Sequence, residues 1–66
     1  MSKNLAISDL LDLYGEMLTD KQRDVIELYY NQDLSLAEIA EHEQITRQGV
    51  RDNIKRGEAF LLAMEE

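Results

Sequence analysis

Two helix-start signals stand eleven positions apart in this 66-residue chain, and nothing else in it constrains the fold as tightly. The first, "SLAE" at 35–38, pairs a serine with a glutamate three residues on, so that each side chain can cap the other's backbone amide. The second is Thr46, a good N-cap for whatever follows. A helix opened at Ser35 must then end near His42, leaving only Glu43 to Ile45 as the connection. Helices joined so closely cannot lie antiparallel and must cross steeply, which predicts a helix-turn-helix at about 36–56. Ile39 and Ala40 fall on its first helix, Ile45 in the turn, and Val50 and Ile54 on the second. The small side chain of Ala40 allows close approach, and Ile39, Ile45 and Val50 fill the space between.

The residues upstream read as two more helices. Ile7, Leu10, Leu11, Tyr14, Met17 and Leu18 are spaced as one face of a 3.6-residue period, with Asp9, Asp12 and Glu16 on the wet side. "TDKQ" at 19–22 is a second capping-box pattern, opening a helix that carries Val25, Ile26, Leu28 and Tyr29 and runs to about Tyr30. "NQD" at 31–33 breaks it. Helix formers dominate, β-branched residues are few, and there is no proline. The prediction is one all-α domain over 1–66 with four helices. Its core includes Leu10, Leu11, Tyr14, Leu18, Ile26, Ile39, Ala40, Val50, Ile54 and Leu61.

Charge is distributed unevenly. Residues 1–46 hold three basic residues against ten acids, and residues 58–66 hold three acids and no base. Residues 47–57 invert this, with Arg47, Arg51, Lys55 and Arg56 against Asp52 alone, although the whole chain carries −7. On a helix starting at Arg47, Arg47, Gln48, Arg51 and Lys55 share one side, while Val50, Ile54, Gly57 and Leu61 face inward. In DNA-reading motifs the N-terminal part of the second helix enters the major groove. Arg47, Gln48 and Arg51 are therefore the candidate base or phosphate contacts, with Lys55 and Arg56 on the backbone. The alternative is that the strip is simply the solvated face of a packed helix. Asp52 lies within it, where it would meet phosphate. An acidic body removes the attraction that makes basic proteins cling to any DNA, so binding should be weak or specific. Double-stranded RNA is a poorer fit, because its deep major groove does not admit a helix.

"SLAEIAEHEQITRQGVRDNIKR" closely resembles the helix-turn-helix of the small YlxM-type bacterial proteins, whose fold is similar to the promoter-reading C-terminal region of sigma factors. "LTDKQ", "ELYY" and "DNIKR" carry the same likeness, which covers about Leu11 to Arg56. The resemblance implies a sigma region 4-like fold and a regulatory role in the signal recognition particle pathway, with particle components as partners. It also implies a longer family chain ending in a long helix, next to which this one looks short. Three positions depart from the pattern: Glu43 stands at an apolar site, Gln44 at the glycine of the turn, and Gly49 at a frequent alanine.

Other chemistries find little support. His42 and Glu38 form an i, i+4 pair, but one histidine without cysteine is a poor basis for a metal site. No nucleophile stands beside a base, and Gly15, Gly49 and Gly57 are scattered, so neither an enzyme nor a cofactor is expected. The absence of cysteine frees the chain from any oxidising compartment. "AFLLAM" at 59–64 is too short to span a bilayer and "MSKNLAIS" lacks the features of a signal peptide, so the expected address is the cytoplasm without membrane insertion. The rival to DNA binding is a protein-interaction adaptor. Val50, Ile54, Gly57, Leu61 and Met64 step as a heptad seam, and Leu13, Phe60 and Leu62 widen the apolar surface. Ile54, Phe60, Leu61 and Met64 are thus candidates for a dimer or partner surface.

Overall fold

A computed structural model describes residues 5–65, and the N-terminal residues 1–4 of the signal-peptide reading, like Glu66, lie outside them. Helix α1 spans Leu5–Tyr14 and passes into a single 3₁₀ turn at Gly15–Met17. Helix α2 follows at Asp20–Tyr30, α3 at Leu36–Glu43 and α4 at Arg47–Glu65, and the described residues contain no strand.

The caps lie where the sequence puts them. The Thr19 hydroxyl accepts the Gln22 amide at 3.1 Å. At Ser35 both halves of the box close, the hydroxyl accepting from the Glu38 amide and the Glu38 carboxylate from the Ser35 amide. The Thr46 hydroxyl takes the Gly49 amide at 3.0 Å. Each bond satisfies a donor that a helix start would otherwise leave unpaired.

Two apolar clusters hold the helices together. Ile7, Leu10, Leu11 and Leu18 gather with Ile26 and Leu61, flanked by half-buried Tyr14 and Tyr30. Val25, Ile39, Ala40, Val50 and Ile54 form the other, inside the helix-turn-helix. The adjacent residues Val25 and Ile26 of α2 thus serve different clusters, and α2 packs against both α1 and the motif. Gly57 lets α2 and α4 approach: a Cβ there would lie 2.0 Å from Cδ1 of the fully buried Ile26.

The first stripe needs correction at Met17, which is 60% exposed. The α-helix ends at Tyr14, and Met17 closes a 3₁₀ turn that passes into extended backbone at Leu18. Leu18 thereby folds back into the cluster under α1, while Met17 is left outside it. Leu61 and Ile54 need a second correction. Both were expected on a dimer or partner surface, yet both are buried within this chain, at 0% and 6% exposure. The seam's inward line faces α1, α2 and α3. Among the other residues proposed for that surface, Phe60 is exposed and Met64 half-buried.

Candidate nucleic-acid interface

The turn that aims α4 is built on Glu43 and Gln44, two of the three positions where the sequence departs from the family pattern. Gln44 sits in the left-handed region, at φ 59° and ψ 45°, a conformation that costs a residue with a Cβ more than it costs glycine. The Gln44 amide and the Ile45 amide both reach back to the Ala40 carbonyl, closing the end of α3. Glu43 has only 9% of its side chain exposed and is not left unpaired. Nζ of Lys21, at the start of α2, donates to its Oε1 at 2.8 Å, and Nδ1 of His42 lies 3.1 Å from its Oε2. The Lys21 bond holds the Glu43 carboxyl below the usual glutamate range, against the opposing effect of burial. The acid at an apolar site is thus a tie between α2 and the motif's turn.

This pairing also separates Glu38 from His42. The Glu38 carboxylate caps Ser35 and the His42 ring turns to Glu43, so the two do not converge.

From the turn, α4 runs for 19 residues. Val50, Ile54, Gly57 and Leu61 are buried, and Arg47, Gln48, Arg51, Lys55 and Arg56 are exposed, as the helical phase requires. Arg47, Gln48 and Arg51 line a shallow cleft with Leu36 of α3. Nε2 of Gln48 donates to Oδ1 of Asp52 at 3.2 Å, so the acid within the strip has a partner one turn away. Asn53 donates to the Gly49 carbonyl at 2.9 Å and stays on the helix.

The cations among the described residues fall into two groups. On the body, Lys21 is paired with Glu43, and Arg23 with Asp20 at 3.2 Å. Arg47, Arg51, Lys55 and Arg56 make no ion pair among the described residues. A helix turned outward, with its cations uncommitted on an otherwise acidic body, can receive an anionic partner without first breaking contacts. No helix among the described residues is long and apolar enough to cross a membrane.

Comparison with known proteins matches residues 1–66 to the UPF0122 family, described as "Putative helix-turn-helix protein, YlxM / p13 like". A UPF0122 protein of Clostridium kluyveri is 58% identical over 66 residues, all of this chain and 60% of the relative. One from Acetivibrio thermocellus is 56% identical over 66 residues, again all of this chain and 56% of the relative. One from Oceanobacillus iheyensis is 52% identical over 66 residues and is covered to 63%. The chain therefore spans under two thirds of the length of these curated relatives.

Proposed function

We propose that this chain, which belongs to the UPF0122 family of YlxM/p13-like helix-turn-helix proteins, is a non-enzymatic regulatory protein that docks the N-terminal half of α4 in the major groove of double-stranded DNA. The observation that carries this reading is the set of uncommitted cations on the exposed side of α4, away from its buried line. In the docked arrangement Arg47, Gln48 and Arg51 reach base edges or nearby phosphates, and Lys55 and Arg56 hold the backbone. Four cations limit the number of phosphates engaged, so the slope of log affinity against log salt should be no steeper than about −4.

Fluorescence anisotropy tests this on duplexes drawn from the DNA flanking its own gene, titrated at several salt concentrations. Saturable binding that weakens with salt is expected, and Lys55→Ala should lower the slope by about one. A flat response at low salt refutes the reading. The finer form, regulation of the signal recognition particle pathway, is supported by the family likeness. It requires that deleting the gene alter the level of particle components.

A second reading, a protein-interaction adaptor that keeps the motif as scaffold, is favoured by a different observation. Leu13 is 72% exposed, and Met17, Phe60 and Leu62 are also turned to solvent. If these carry the function, Phe60→Glu abolishes partner capture or self-association measured by sedimentation equilibrium while leaving DNA titrations unchanged.

A further inference from the structure

The outermost ridge of α4 is not purely basic. Val50, Ile54, Gly57 and Leu61 define its buried line, and at about 100° per residue Gln48 and Asp52 lie nearly opposite that line. Arg47 and Arg51 lie on the flank, beside Leu36. The most protruding pair at the N-terminal end of the helix is therefore an amide and a carboxylate, hydrogen-bonded at 3.2 Å.

Resting on the DNA reading above, we infer that Asp52 is the discriminating residue of this face, positioning Gln48 for an adenine edge and excluding backbone phosphate from the ridge. A glutamine reads adenine by presenting one acceptor and one donor together. Left to itself, the amide rotates and exchanges its two ends. The bond to Asp52 commits one N–H of Nε2 to the helix surface. Oε1 and the second N–H remain outside that bond, one acceptor and one donor for a base edge. The Asp52 charge acts in the second way. At roughly 7 Å in water it weakens the approach of a phosphate by about threefold. Docking registers that lay the ridge along the sugar-phosphate backbone are penalised, whereas a register that places it over base edges is not. In this way a short strip in a chain of net charge −7 selects among sequences in place of coating DNA.

Two variants separate the two roles. Asp52→Asn removes the charge and keeps an acceptor for Gln48, while Asp52→Ala removes both. Asp52 is exposed, so both variants should keep the native helical ellipticity. The probe is a pool of duplexes with a randomised segment, carried through rounds of selection and then titrated at low salt. The native chain and Asp52→Asn should enrich the same adenine-containing position, with about tenfold preference there. Asp52→Ala should lose that preference. Both variants should bind the unselected pool roughly threefold more tightly. An unchanged adenine preference in Asp52→Ala overturns the positioning role, and unchanged affinity of both variants for the unselected pool overturns the exclusion role. Failure of the native chain itself to bind the pool overturns the DNA reading, and the inference with it.

Discussion

Gly57→Ala puts one methyl group where the packing of α2 on α4 leaves no room. The added Cβ would lie 2.0 Å from Cδ1 and 3.3 Å from Cγ1 of Ile26. Carbon atoms pack at about 3.5–4.0 Å, so roughly 1.5 Å must be recovered. Ile26 is fully buried among Ile7, Leu10, Leu11, Leu18 and Leu61, so its terminal methyl can move only by shifting within this cluster. Either its side chain leaves its rotamer or the helices part, and overpacking of this kind costs about 1–3 kcal/mol. Against this, alanine is better than glycine inside a helix by about 1 kcal/mol. The clash outweighs this gain, with a net loss of up to about 2 kcal/mol. For a chain this short that lowers the melting temperature by up to roughly 15 °C, read from helical ellipticity.

The same methyl at Gly49 makes a good control. There its closest contacts are Thr46 Oγ1 at 3.3 Å and Ile45 Cδ1 at 3.6 Å, so Gly49→Ala should fall between neutral and a gain of about 1 kcal/mol. A double-mutant cycle isolates the cause. Ile26→Val removes the methyl that clashes, at a cost of about 0.5–1.5 kcal/mol on its own. Combined with Gly57→Ala it should cost about 1 kcal/mol less than the two changes summed. A Gly57→Ala chain that melts at or above the native temperature, or strict additivity in the cycle, refutes the close approach of α2 and α4.

Gln44→Gly should stabilise the fold by up to about 1 kcal/mol, because glycine adopts the left-handed conformation of the turn without a Cβ penalty, and urea denaturation measures it. Glu43 has its pKa lowered by Lys21, so its contribution is present above the ordinary glutamate range and is lost as pH falls below about 4.3 through the folded value. Melting temperature should drop over that window in the native chain, and Glu43→Gln should melt lower at neutral pH with a flatter acid profile. Leu61→Glu places a charge at a fully buried site, so circular dichroism should show lost helix at any concentration, not merely a change of oligomeric state in the ultracentrifuge.

Several features of this protein were legible without its structure because they are local. Ser35, Glu38 and Thr46 cap helices by bonds that span three residues, so the starts of α3 and α4 could be read off directly. Helical phase sorted Val50 and Ile54 from Arg47 and Arg51, since the period depends on the backbone alone. Periodicity says that a face is buried but not what buries it. The line through Ile54 and Leu61 suits a second copy as well as it suits this chain's own helices, and only packing assigned it to the core. Met17 left its stripe because α1 ends at Tyr14 and the chain turns through Gly15–Met17 into extended backbone, an ending that the apolar spacing does not announce. Lys21 and Glu43 stand 22 positions apart in the chain, and their bond exists only because α2 and the end of α3 are brought side by side. It decides whether an acid at an apolar site breaks the turn or ties it down, because a carboxylate taken from water needs a partner that only the tertiary fold could supply.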